Sequence, residues 1–354
     1  MSLRMTFPER LLGQLNLLPT PLFDAMLAPG VAKAVLTASE LGLFDVLSEQ
    51  PLSLSALAER VVCQPEGLRL LLNILLPAGY LHRRGGMYRN SRTAQRWLTS
   101  SSPASIAPSL LHNPDLVAFW ESMSVVVRDN GQAATTTRER DALPESMQAL
   151  LAGHYAWLAS LAVALGNEVI RRTPVPRGAT RLLDVGGPRA AYSVLFCRKY
   201  PRLQATILDI QPAVEASRRA AVQAGMTARP GCVSVDIVGD DFELGSAGSF
   251  DVAVYFHIAH LLPPETNVAV LSQVVRTLKP GGVLVFVDTV TGQVYRSGLA
   301  VLLAQLMAVA MKTLGGSSHS FSTVKGWLEQ VGLGNVRSHR LITPGATMIT
   351  ARKT

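Results

Sequence analysis

Cysteine is scarce: Cys63, Cys197 and Cys232 are the only three in 354 residues. They lie far apart, are odd in number and form no Cys-x-x-Cys pair, which argues against a disulfide framework or a zinc site. Long apolar runs are missing too. Apolar residues make up 48% of the chain, yet charges or prolines break every run before the roughly 18 residues of a membrane span. Ala300 to Met311 comes nearest and reads as a buried helix. The opening MSLRMTFPERLLGQ lacks a signal-peptide core with a small-residue cleavage site, so a cytoplasmic location is expected. Dense charge of one sign is also absent. The net charge is +8, but the basic residues are scattered, with isolated pairs at Arg83-Arg84, Arg171-Arg172 and Arg218-Arg219. This pattern fits a solvated basic surface, and neither a nucleic-acid nor a membrane partner is expected.

What is there is enough apolar sequence for one large or two ordinary cores. Apolar spacing predicts a helix over AKAVLTASELGLFDVLSEQ, a second over SLSALAERVV behind a capping serine, and a third over PEGLRLLLNILLPAGYL, with Pro65 at its start and Gly79 at its end. HRRGGMYRN predicts two short strands around Gly85-Gly86. Helices followed by a hairpin are the order of a winged helix. A DNA-reading helix displays several Arg, Lys, Asn or Gln, whereas Pro65 to Leu76 offers Arg69 and Asn73 among leucines. Residues 1–102 are therefore read as a dimerisation domain, with a metabolite-sensing DNA binder as the lesser alternative. Residues 103–176 predict a helical region that includes a long amphipathic helix from Glu145, with breaks near Pro114 and from Asp129 to Pro144.

From residue 177 the pattern changes. RLLDVGG, QATILDI, VSVDIVG, DVAVYFHI and GGVLVFVDTV alternate with stretches of helix length. The expected fold is α/β, a doubly wound Rossmann-like domain over 177–354 with a parallel sheet covered on both faces. Asp184 ends the first strand, and Gly186 and Gly187 let backbone approach a ligand. Asp209 ends the second strand, where an acid can hold ribose hydroxyls. Asp240 ends the third, where an acid can meet an adenine amine, and Phe242 can stack on the ring or fill core.

In this order LLDVGG, LDIQP, GDDF, HIAHLL and LKPGGVLVFVD resemble the motifs of class I S-adenosylmethionine-dependent methyltransferases. Together with residues 38–90 they are similar, across nearly the whole chain, to the small-molecule O-methyltransferases that carry an N-terminal winged-helix dimerisation domain. The resemblance implies a homodimer and S-adenosylmethionine as cofactor, with S-adenosylhomocysteine as product and Asp184, Gly186, Asp209 and Asp240 at its site.

Methyl transfer to a hydroxyl needs donor and acceptor aligned and a proton removed, and histidine suits that task near neutral pH. The resemblance places the catalytic base at His260 and a bracketing carboxylate at Asp288; His257 stands one turn earlier. The chain departs from the family at three points. Pro188-Arg189-Ala190 replaces Gly-Thr-Gly, with Ala190 read as a mild change. Leu261-Leu262 replaces Asp-Trp. Ser317-Ser318-His319-Ser320 follows Gly315-Gly316 where a Glu-Arg-Thr run is usual. Trp120, Met147, His154, Tyr155, Trp157, His257, Met307 and Met311 are candidate liners of an acceptor pocket, and their apolar character points to an aromatic or polyketide-like metabolite. No metal is expected. The departures keep a second reading open: an enzyme of this fold that has lost methylation and performs cyclisation, hydroxylation or decarboxylation.

Overall fold

The computed structural model describes residues 9, 11–12, 15, 17–111, 123–129, 145–186, 190–209, 211–226, 231–234, 247–291, 298–313, 316–339, 341 and 346–354; side chains 145–157 lie outside that description. The chain divides into two compact units, Met1–Val117 and Ala118–Thr354.

Helix boundaries in the first unit follow from local chemistry. The stretch expected to form one helix forms two, α1 (Thr20–Glu40) and α2 (Leu43–Glu49). Gly42 sits between them at φ +65°, a left-handed turn that glycine adopts without steric cost and that ends a helix. Ser53 caps α3 (Leu54–Arg60) by accepting from the Ala56 amide, and Pro65 occupies the first turn of α4 (Pro65–Leu75). The hairpin of β1 (Leu81–Arg84) and β2 (Met87–Asn90) turns at Gly85-Gly86, both at positive φ. Helices α5 (Arg92–Trp97) and α6 (Ala107–Leu111) complete the unit. Leu43, Phe44, Leu57, Leu68, Leu72, Leu75 and Tyr88 form its core. By length and composition alone α1 could cross a membrane, which the broken apolar runs did not suggest. Its second half is anchored in this core through Ala34, Val35 and Ala38, while Leu22, Met26 and Leu27 in its first half are exposed.

In the second unit, seven strands pair in the order β10-β11-β7-β6-β3-β4-β5. Strands β3 (Arg181–Val185), β4 (Gln204–Asp209), β5 (Gly231–Ser234), β6 (Phe250–Phe256) and β7 (Leu278–Asp288) run parallel. Strand β11 (Thr347–Lys353) runs antiparallel to both β7 and the edge strand β10 (Leu333–His339), so the sheet is mixed. A separate parallel pair joins β8 (Val290–Thr291) to β9 (His319–Ser320).

Alternation along the strands builds two cores. Leu183, Val185, Tyr255, Leu284 and Phe286 face one side, with the helices α11 (Pro264–Thr277) and α13 (Phe321–Gln330). Leu182, Val254, Phe256, Val285 and Val287 face the other, with α8 (Glu145–Arg172) and α9 (Ala191–Lys199). All of β6 is buried, as expected for a central strand covered on both faces. The remaining helices are α7 (Met123–Asp129), α10 (Gln211–Gln223) and α12 (Gly298–Thr313). The last was expected to be buried. It buries Ala304, Ala310 and Met311 but exposes Val301 and Leu302, so only one face is covered.

The Lys-Pro-Gly-Gly run lies inside β7, where the register with β6 slips. Lys279 pairs there with Asp251, which also accepts from the Thr180 and Arg181 amides. Burial opposes ionisation of Asp251, but these donors hold its pKa below the usual value. This clamp ties three strands together at the N-terminal end of the parallel sheet.

Candidate active site

Four side chains converge on the C-terminal rim of the parallel strands because each ends or follows a neighbouring strand. Asp184 closes β3, Asp209 closes β4, His257 follows β6 and Asp288 closes β7. The chain runs from β3 outward to β4, while β6 lies on the other flank of β3. This reversal of direction opens the crevice where doubly wound sheets bind ligands.

Asp184 is fully buried. Ser193 Oγ donates to its Oδ2 at 2.5 Å, while Oδ1 has no hydrogen-bond partner among the described residues. Burial pushes its pKa up to about 6, with the Ser193 bond acting in the other direction. An unsatisfied buried carboxylate oxygen is costly and suits a site that a ligand donor completes. Gly186 follows at φ +64°, its N–H donating to Leu208 O at 2.7 Å. A Cβ there would overlap the Ile258 side chain, so this glycine also serves close packing of the β6 loop. Asp209 stands half-buried at the end of β4.

Ala190 opens α9 at φ +59°. The left-handed region costs a non-glycine residue about 1–2 kcal/mol, so alanine here is not the mild replacement the sequence suggested. Its methyl is buried beside Val194 and Ile207, which offsets part of that strain.

His257 also has positive φ, +58°. Its N–H donates to Val287 O at 2.8 Å, tying the end of β6 to β7. Its Nε2 lies 3.4 Å from the Tyr192 hydroxyl, and Tyr192 packs edge-on against Phe256. Burial lowers the His257 pKa to about 4; nearby Asp288 acts upward and His260 downward. This imidazole is therefore neutral at physiological pH. Burial, and then Asp184, push the Tyr192 hydroxyl well above its ordinary pKa.

His260 lies on a short 3-10 turn, Ala259–Leu261, and is 2% exposed. Its Nδ1 is 2.7 Å from Asp288 Oδ1, and its backbone N–H donates to Asp288 Oδ2 at 3.2 Å. The Thr289 N–H donates to Oδ1 at 2.7 Å. Burial raises the Asp288 pKa, but the charge and hydrogen bond of His260 outweigh it and hold the carboxyl below the usual value. An ionised carboxylate only accepts, so Nδ1 carries the proton it shares with Asp288 and Nε2 is the other ring nitrogen.

Residues to which the sequence assigned no supporting role hold this turn in place. Asn267, fully buried, donates to the carbonyls of Ala259, Leu262 and Pro263 and accepts from the Tyr255 hydroxyl. Ser317 N–H donates to His260 O, and His319 Nε2 lies 3.1 Å from Ala259 O. Gly316 packs so closely that a Cβ would fall 2.0 Å from His260 O. The segment lacking the family's acid is thus a structural support for the His260 turn. No local sequence signal marks Asn267, because its partners are defined only by the folded loop.

Of the expected cofactor residues, the structure brings Asp184, Gly186 and Asp209 to one rim, while Gly187, Asp240 and Phe242 lie outside the described residues. Of the expected pocket liners, Trp120 lies outside them, and so do the side chains of Met147, His154, Tyr155 and Trp157 on α8. Met311 is buried at the end of α12, its carbonyl accepting from Gly316 N–H, and Met307 is half-buried one turn earlier. Helix α7 packs against α12. Among the described residues no cluster of His, Cys, Asp and Glu could hold a metal ion.

A mixed seven-stranded sheet with an orphaned acid and a glycine turn after its first strand defines the Rossmann-like methyltransferase class. The comparisons with known proteins are specific. Residues 24–100 match the O-methyltransferase dimerisation domain, and residues 154–332 match the O-methyltransferase domain. The chain belongs to this family and is an S-adenosylmethionine-dependent O-methyltransferase. It is 26% identical over 328 residues to the tetracenomycin polyketide synthesis 8-O-methyltransferase TcmO of Streptomyces glaucescens, covering 91% of this chain and 93% of the relative. It is 24% identical over 339 residues to the 3-hydroxy-5-methyl-1-naphthoate 3-O-methyltransferase of Streptomyces sahachiroi, covering 94% of each. Its fold is similar to that of human N-acetylserotonin methyltransferase, solved in complex with S-adenosylmethionine. That likeness has a TM-score of 0.78 at 22% identity, covering 100% of this chain and 99% of the other.

Proposed function

We propose that this enzyme methylates a hydroxyl of a small aromatic or polyketide-like metabolite, with His260 as general base and Asp288 as its orienting acid. The bond of 2.7 Å between the two side chains, beside the crevice of the sheet, carries this reading. Asp288 holds the proton on Nδ1, so Nε2 accepts the acceptor's hydroxyl proton. Burial of the pair excludes competing water. The activity on tetracenomycin and naphthoate skeletons named for the two relatives supports an aromatic acceptor.

The residues present fit the cofactor: the orphaned Asp184 oxygen needs a donor, and the glycine turn at Gly186 lets a ligand approach the end of β3. Asp184, Gly186, Gly187 and Asp209 would hold it, with Asp240 at the adenine amine and Phe242 stacked on the ring. When bound, it supplies the activated methyl group on a sulfonium. Trp120, Met147, His154, Tyr155, Trp157, His257, Met307 and Met311 line the acceptor pocket in this reading, as the packing of α7 on α12 and the burial of Met311 support.

The enzyme acts as a homodimer in the cytoplasm, without nucleic-acid or membrane partners. The matched dimerisation domain and the exposed Leu22, Met26 and Leu27 of α1 support the dimer. The proposed division of the chain is dimerisation domain 1–102, helical pocket region 103–176 and catalytic domain 177–354. The deciding experiment pairs calorimetry of S-adenosylhomocysteine with methyl transfer to a phenolic acceptor. His260→Ala should keep product affinity and lose turnover; equal turnover from pH 6 to 9 removes His260 as the base.

A further inference from the structure

Beyond the last turn of α8, the described residues leave a cleft against one face of the sheet. Arg337 and His339 are two residues apart on β10, and Thr350 and Arg352 are two apart on β11. Each pair shares a face by the two-residue period of a strand, and Arg337 pairs directly with Thr350. Met348, in phase with Thr350 and Arg352, belongs to the core under α8. These side chains therefore project toward the end of α8, where Arg172 and Pro174 close the ring. Together with Asn335 and Ala351 they line a cavity of about 200 Å³ at the outer edge of the sheet. None of them surrounds His260 or Asp184.

The lining contains three guanidinium groups and no carboxylate. Glu168, one turn back on α8, pairs with Arg172 at 3.0 Å, and Arg352 donates to Gly281 O. Among the described residues the Arg337 side chain makes no hydrogen bond or ion pair. The three arginines less Glu168 leave two positive charges. His339 Nε2 lies 2.8 Å from Thr350 Oγ1. Burial, followed by the charges of Arg172 and Arg337, lowers its pKa, so its imidazole adds no charge at neutral pH but lies within the field of both arginines.

We propose that this cleft binds a phosphate monoester. A phosphoryl group carries about −1.5 to −2 charges near pH 7, matching the uncompensated pair of arginines. Planar guanidinium forks grip its oxygens bidentately, and the Thr350 hydroxyl supplies a further donor. The cavity is smaller than the roughly 300 Å³ lower bound of drug-sized ligand pockets, which suits a compact organic phosphate. The site is separate from the methyl-transfer chemistry and does not depend on it.

The test uses the full chain in a phosphate-free buffer at low ionic strength. Calorimetry with phenyl phosphate, inorganic phosphate and acetate compares the monoester, the free dianion and a monoanion, while NMR follows the His339 ring titration. Phenyl phosphate should bind at least as tightly as phosphate, and acetate about tenfold more weakly. Added phenyl phosphate should raise the His339 pKa, because the dianion offsets Arg172 and Arg337. Arg337→Gln should weaken phenyl phosphate binding about tenfold with an unchanged melting temperature, and Arg337→Lys should restore part of it. Inorganic phosphate binding more tightly than the monoester would identify a free-phosphate site and overturn the proposal. So would equal affinity in wild type and Arg337→Gln, or a His339 titration indifferent to phenyl phosphate.

Discussion

Asp288 holds His260 at two points, ring Nδ1 at 2.7 Å and backbone N–H at 3.2 Å. One carboxylate thus fixes both the orientation of the imidazole and the position of the turn that carries it. In the proposed mechanism this carboxylate acts alone, with a serine-rich segment at residues 317–320 in place of the family's acidic run.

Asp288→Asn keeps an acceptor for Nδ1–H but brings an amide donor among the N–H groups of His260 and Thr289. Turnover should fall, by less than the roughly 10²–10⁴-fold loss expected for His260→Ala. The depressed pKa of Asp288 contributes stability that is present above about 3.8 and lost as pH falls below it. Acid denaturation of the wild type should therefore be steeper below pH 3.8 than that of Asp288→Asn. Superimposable acid limbs would show that the pair does not stabilise the fold.

Asp184 has the opposite sign. Its pKa is raised to about 6 by burial, so the stability of its protonated form is complete below about 3.8 and disappears as pH rises through 6. Between pH 4 and 7.5, Asp184→Asn should gain about 1–3 kcal/mol relative to the wild type in cofactor-free protein, read from urea melts. The same variant should bind S-adenosylhomocysteine more weakly. A stability gap independent of pH would contradict the burial argument.

His257 combines a strained backbone with a depressed pKa. Its neutral form stabilises the protein above pH 6.5, and that stability is lost as pH falls toward 4. The loss should reach about 2–3 kcal/mol and be absent in His257→Asn, which tolerates φ +58°. His257→Val should show an additional, pH-independent loss of about 1–2 kcal/mol from the left-handed backbone. Melting temperatures of the three proteins from pH 4 to 8 separate these effects.

Two glycine substitutions should behave differently. At Gly316 an added methyl meets the backbone carbonyl of His260, which cannot move without displacing the turn. Gly316→Ala should cost toward the upper end of about 1–3 kcal/mol and reduce turnover together with stability. At Gly186 the obstacle is the end of the Ile258 side chain, so shortening it in Gly186→Ala/Ile258→Val should recover part of the loss of Gly186→Ala. Identical melting temperatures for the single and double variants would show that Ile258 is not the obstacle.

The sequence by itself determined what is periodic or local. Strand–helix alternation from Arg181, the acids Asp184 and Asp209 at the ends of β3 and β4, and the serine and proline helix starts could be read in order, because propensity and side-chain period act over a few residues. Even there Gly42 split an expected helix, since one left-handed residue overrides a continuous apolar pattern. The edge strand β10 escaped notice because a half-exposed edge at Leu333–His339 carries no strong alternation. Only the tertiary structure decided that Asn267 clamps the His260 turn, that Gly316 must lack a side chain, and that Ala190 and His257 accept positive φ. Each of these depends on atoms contributed from elsewhere in the chain, where exclusion of water and close packing set the energy of a contact and sequence spacing does not.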